Sequence, residues 1–200
     1  MTRVVVLDYG SGNLHSVTRA LAAVGTEVTL SADPAVALAA DGLVVPGVGA
    51  FAACLAQLRA VGGMEVIRDR IARERPVFGI CVGHQVLFAR GVEHGIDCPG
   101  IGVYPGTVRL LPTARLPHMG WNTLRTGETT LPGRFYFVHS YAALEATDVP
   151  GDATAYWSAH DGQPLVAAVR YGPVVSTQFH PEKSGSAGLR WLRDWVEALP

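Results

Sequence analysis

The stretch Pro76-Val77-Phe78-Gly79-Ile80-Cys81-Val82-Gly83-His84-Gln85 decides how the rest of the chain is read. An apolar run ends in a cysteine with a glycine two residues away on each side, the pattern of a sharp strand-to-helix turn. Such an elbow presents its central side chain at the tip and crowds the flanking positions, so glycine is needed there. Here the tip carries a thiol. The spacing predicts that His84 to Arg90 continue as a helix, with Gly91 as the left-handed residue that ends it. The helix N-terminus would then point free N–H groups and a positive dipole end at Cys81, which favours thiolate over thiol. The plainer alternative is a cysteine that fills a strand end, and it needs none of these features.

Upstream of the elbow, strands and helices alternate. Arg3 to Leu7 is a β-branched run suited to a strand covered on both faces, followed by the loop Asp8-Tyr9-Gly10-Ser11-Gly12-Asn13. Leu14, Val17, Leu21 and Val24 share a helical face, and a short strand Glu27 to Leu30 follows Gly25. The loop lacks the third glycine of a dinucleotide fingerprint and any Gly-Lys-Ser/Thr ending, which argues against a phosphate site. Asp33-Pro34 reads as the start of a helix to Ala40, and Gly42 to Val45 as a third buried strand. That strand ends in Pro46-Gly47-Val48-Gly49, where uncovered backbone N–H groups suit an oxyanion site or an ordinary turn. Phe51, Cys54, Leu55 and Leu58 share a face, so Cys54 reads as a packing residue, and a helix from Met64 to Glu74 leads into the elbow strand. The pattern predicts an α/β fold with a doubly wound, mainly parallel sheet, and ligands at the carboxyl ends of its strands.

After Gly91 the chain turns to short β-like runs with Gly and Pro, read as antiparallel additions: Ile101–Tyr104, Thr107–Leu111, Phe135–Val138, Thr154–Trp157 and Leu165–Val169. Val174 to Phe179 is one more strand, and a closing helix presents Leu189, Leu192, Trp195, Val196 and Leu199 to the sheet. No repeat or linker interrupts residues 1–200, which read as a single domain. Lys plus Arg total 16 against 17 Asp plus Glu, so no basic field exists to hold nucleic acid or an anionic membrane. No stretch is long enough for a signal peptide or a bilayer span, and three cysteines without CxxC spacing suggest reduced thiols in the cytoplasm.

A thiol nucleophile needs a base, and seven histidines compete. His180 follows the strand ending at Phe179, Pro181 stops the ladder there, and Glu182 lies two residues on. In an extended segment residues i and i+2 project to one side, so Glu182 can hold one imidazole nitrogen while the other faces Cys81. That is the logic of a Cys-His-Glu triad. His84 is left between a pocket wall and an exposed helix position, and His139 between a pocket wall and a turn. His94, His118 and His160 read as loop residues, and no pair has metal-ligand spacing, so neither metal nor cofactor is expected.

Gly79-Ile80-Cys81-Val82-Gly83-His84-Gln85, Pro46-Gly47-Val48-Gly49 and Phe179-His180-Pro181-Glu182 together resemble the class I glutamine amidotransferases, and the resemblance spans essentially the whole chain. Asp8 to Asn13, Pro117 to Asn122, Tyr136 to Tyr141 and Glu182 to Gly185 narrow it to glutaminase subunits that serve a separate synthase. The resemblance implies a flavodoxin-like sheet, hydrolysis of L-glutamine through a thioester on Cys81, and a heterodimer with a (β/α)8-barrel synthase subunit that receives the ammonia. It further implies oxyanion donors at Val48, after Gly47, and at Val82, and glutamine recognition by Gly49, Gln85, Ser140 and Tyr141. Asn13, Trp121 and Lys183 match positions near the partner interface. His84 departs from the pattern, since the elbow of this family more often has methionine there.

Overall fold

In the computed structural model, which describes residues 2–200, the first half of the chain alternates as expected. Its elements are β1 (Arg3–Leu7), α1 (Leu14–Ala23), β2 (Glu27–Ser31), α2 (Pro34–Ala39), β3 (Gly42–Gly47), α3 (Phe51–Ala60), α4 (Gly63–Ala72), β4 (Val77–Cys81) and the single turn α5 (Val82–Gln85). The second half supplies β5 (Phe88–Glu93), β6 (Ile96–Pro99), β7 (Tyr104–Leu110), β8 (His118–Asn122), β9 (Arg125–Thr126), β10 (Thr129–Thr130), β11 (Phe135–His139), β12 (Tyr141–Ala142), β13 (Thr154–His160), β14 (Gln163–Tyr171), β15 (Val174–Thr177) and α6 (Gly185–Glu197).

One large sheet runs β10-β9-β13-β14-β15-β4-β3-β1-β2. From β2 to β15 its strands are parallel, and from β15 outward to β10 they pair antiparallel. The β-branched runs explain the centre: every residue of β3 and β4 is buried, while β2 at the edge is mostly exposed. Two smaller sheets, β12-β7-β5-β6 and β11-β8, sit beside the carboxyl end of β4. The sheet carries β4 and β15 side by side, with Ile80 opposite Thr177, so the chain leaves both strands at the same end, toward Cys81 and His180.

Two local expectations are corrected. The helix after Cys81 lasts one turn, because Val86, Leu87 and Phe88 are all fully buried and the chain passes into β5. Gly91 therefore lies inside a strand that pairs with β6 and β7, and it is glycine because a Cβ there would sit 2.5 Å from the Phe51 ring. The dipole of so short a helix adds little at Cys81. His118 and His160 lie on β8 and β13 rather than in loops. The closing helix α6 buries Leu192, Trp195 and Val196 as expected, with Leu189 and Leu199 partly covered, and adds Trp191, which packs edge-on to Phe135, Tyr156 and Phe179.

Candidate active site

The elbow at Cys81 has a strained backbone. Cys81 adopts φ 57° and ψ −112°, a conformation that non-glycine residues rarely take and that aims the side chain away from both flanking elements. The flanking glycines are a steric necessity: a Cβ on Gly79 would lie 2.5 Å from the Gly83 carbonyl oxygen, and one on Gly83 1.8 Å from that of Val45.

The thiol opens into a cavity of about 620 Å³. Val48, Gly49, Cys81, Val82, Gln85, Ser140, Tyr141, His180 and Lys183 all line it, so positions spread from 48 to 183 in the chain converge on one site. Gly47 lies beneath, at the end of β3 opposite Cys81. Asn13 and Trp121 lie outside the cavity: Asn13 caps α1, and Trp121 is 51% exposed on β8 beside Tyr136. Lys183 lines the cavity, with its ammonium 6.0 Å from the Tyr136 ring.

His180 Nδ1 lies 2.7 Å from Glu182 Oε1, and both side chains are almost fully buried. The expected juxtaposition is present on a different backbone: Pro181–Lys183 form one 3-10 turn, and this turn, not an extended segment, swings Glu182 back under the ring. Burial opposes the imidazolium, but the Cys81 sulfur and the Glu182 carboxylate outweigh it and push His180 up to about 10. His180 Nε2, buried and without another hydrogen-bond partner among the described residues, is the ring nitrogen left to face the Cys81 sulfur, which is near enough to raise the imidazole pKa.

The Val48 peptide is held by side chains that sequence patterns do not single out. The Val48 N–H donates to Ser11 Oγ at 3.1 Å, and Ser11 Oγ donates to the Val48 carbonyl at 2.8 Å. Cys54, expected only to pack, has its sulfur 3.2 Å from both Ser11 Oγ and the Val48 carbonyl. Burial pushes the Cys54 thiol up, so it stays protonated and able to donate. Glu93 closes the wall beyond Gly49 by accepting from the Phe51 N–H at 2.6 Å, which satisfies a free donor at the start of α3.

Of the two histidines left open by the sequence, His84 departs from both readings and His139 takes the pocket-wall one. His84 neither lines the cavity nor is exposed; it is buried, with Nδ1 2.8 Å from Ser176 Oγ, and burial lowers its pKa to about 3. His139 lines the cavity wall. Among the described residues no group of three His, Cys, Asp or Glu side chains is placed to hold a metal.

The family description "Glutamine amidotransferase class-I" matches residues 5–198 of this sequence. The chain belongs to the class-I glutamine amidotransferases. This amidotransferase is 53% identical over 203 residues to the imidazole glycerol phosphate synthase subunit HisH of Mycolicibacterium paratuberculosis, with 98% of each chain covered. It is also 53% identical to the HisH subunit of Nocardia farcinica, over the full length of both. Among solved structures its fold is similar to a glutamine amidotransferase (TM-score 0.76, 21% identity, 98% and 99% of the two chains). It is similar as well to PurLQS from Thermotoga maritima (TM-score 0.70, 16% identity, 98% and 97%).

Proposed function

We propose that this chain is the glutaminase subunit of imidazole glycerol phosphate synthase, which hydrolyses L-glutamine and passes ammonia to a (β/α)8-barrel synthase subunit in histidine biosynthesis. The observation that carries the chemistry is the convergence of the Cys81 elbow with the His180–Glu182 pair on one cavity. Full-length identity to HisH subunits supports the pathway. Free thiols at Cys54, Cys81 and Cys98 suit a cytoplasmic enzyme, and among the described residues no helix is long and apolar enough to cross a membrane.

The residues then take these roles. The Cys81 thiolate attacks the glutamine carboxamide carbon, and the carbonyl oxygen becomes an oxyanion held by the Val82 N–H and, once freed, the Val48 N–H. His180 gives its proton to the departing ammonia, Glu182 stabilises the imidazolium, and water assisted by His180 then cleaves the glutamyl thioester to glutamate. Gly49, Gln85 and the Ser140-Tyr141 segment hold the amino-acid end. Asn13, Trp121 and Lys183 face the synthase subunit.

In the resting protein the Val48 N–H is engaged by Ser11, so one oxyanion donor is withheld. Losing such a donor typically costs on the order of a hundredfold or more in rate. The isolated chain is therefore expected to release glutamate slowly, and to speed up at least that much when the synthase subunit with its nucleotide ligand is added. Equal rates with and without the partner would refute this control. In the same assay Ser11→Ala removes the acceptor of the Val48 N–H and is expected to raise the unstimulated rate roughly fivefold, the scale of one hydrogen bond. An unchanged or lower unstimulated rate would show that Ser11 is not the restraint.

A further inference from the structure

The side-chain NH2 of Gln85 has two acceptors, the Tyr141 carbonyl at 2.8 Å and Gln178 Oε1 at 3.0 Å. Both hydrogens are thereby used, and Oε1 is the group left to meet a ligand in the cavity that Gln85 lines. Gln178 is fully buried, and its own Nε2 lies 4.0 Å from the Cys81 sulfur. The orientation of Gln85 thus depends on how firmly the Tyr141 carbonyl is held.

That carbonyl has a second partner, His139 Nδ1 at 3.0 Å. A carbonyl only accepts, so Nδ1 of His139 carries a proton. Burial, with some help from His118, pushes the His139 pKa down to about 3, so the ring is neutral and its Nε2 bears a lone pair. Nε2 lies 3.1 Å from His118 Nδ1, which must therefore be the donor. His118 is neutral too, since burial and the nearby His160 lower its pKa to about 4 against the opposing pull of Asp161. Each tautomer follows from the one before it. His118 does not line the cavity, and its ring is stacked on Phe137 at 4.8 Å and on His160 at 4.3 Å.

We propose that His118 is a positioning residue for glutamine: its Nδ1 proton fixes His139 as the donor to the Tyr141 carbonyl, and that carbonyl fixes the Gln85 amide for substrate. The inference rests on reading Gln85 as part of the glutamine pocket. His118→Phe keeps an aromatic ring for the two stacks and removes the donor, whereas His118→Asn keeps an N–H near the Nδ1 position. With the full chain in complex with the synthase subunit, His118→Phe is expected to raise KM for glutamine about three- to tenfold and to leave kcat within about twofold, the scale of one lost hydrogen bond. His118→Asn is expected to restore most of the wild-type KM. An unchanged KM in His118→Phe would overturn the proposal, and so would an equal loss in His118→Asn, which would make the ring's packing the cause. A second readout needs no turnover: nitrogen-15 spectra of the wild-type imidazoles should show His118 and His139 both protonated at Nδ1. Protonation of His139 at Nε2 would overturn the relay. If the wild-type complex released no glutamate, the functional reading would fall, and the tautomer measurement would still decide the relay.

Discussion

Cys81→Ala is expected to abolish glutamine-driven product formation by the complex and to leave the reaction with ammonium salts intact. The sulfur is the only nucleophile at the tip of the elbow, and the next thiol, Cys54, is buried against Ser11 and the Val48 carbonyl. Removing a covalent nucleophile typically costs about 10⁵-fold or more in kcat, so glutamate release should fall to background. Folding should be little affected: alanine keeps the Cβ, so the strained φ of 57° is no worse for it than for cysteine, and the lost sulfur borders a cavity as well as the core. Assaying glutamate release beside synthesis from glutamine and from ammonium separates the two half-reactions. Retained glutamine turnover would remove Cys81 from the chemistry, and loss of the ammonium reaction would mean the substitution damaged the complex.

Glu182→Gln is expected to lower kcat by about 10²- to 10⁴-fold with little change in KM, because it acts on the base and not on the pocket. In the wild type the carboxylate accepts from His180 Nδ1 at 2.7 Å and, with the Cys81 sulfur, raises the imidazole pKa against the cost of burial. A carboxamide removes the charge and can present its NH2 instead, which would favour the tautomer with the proton on Nε2, where the base must accept. The pKa of His180 should therefore fall. The sign for stability follows: a histidine raised to about 10 when folded stabilises the fold fully below its unfolded value near 6.5, and this contribution is lost as pH rises through 10. Glu182→Gln should accordingly melt below wild type near neutral pH, with the gap narrowing above about pH 10. A kcat within a fewfold of wild type, or a melting gap independent of pH, would contradict this assignment.

How legible the site is in the sequence depends on the reach of each interaction. The Cys81 elbow and the His180–Glu182 pair are local, so glycine spacing and a two-residue offset suffice to place them, even though the offset is spanned by a 3-10 turn. The parallel half of the sheet is legible for the same reason, because buried runs such as Leu43 to Val45 allow one reading. The length of the helix after Cys81 is not, since Val86, Leu87 and Phe88 suit a buried helix and a buried strand equally, and only pairing with β6 and β7 decides. Ser11 meets Val48 across 37 residues, and His84 meets Ser176 across 92, contacts that no periodicity encodes. Gln178 belongs with these, though its place two residues before His180, on the segment that delivers the base, is a signal that singles it out in hindsight.

Whether Cys81 is a glutamine-specific nucleophile under partner control is tested most directly by incubating the full chain with a diazo ketone analogue of glutamine, with and without the synthase subunit plus its ligand. Peptide mass spectrometry then maps the adduct. One adduct is expected, on Cys81, formed faster with the partner and suppressed by excess glutamine. Labelling of Cys98 or Cys54 in its place, or labelling of Cys81 that glutamine does not suppress, would contradict that role.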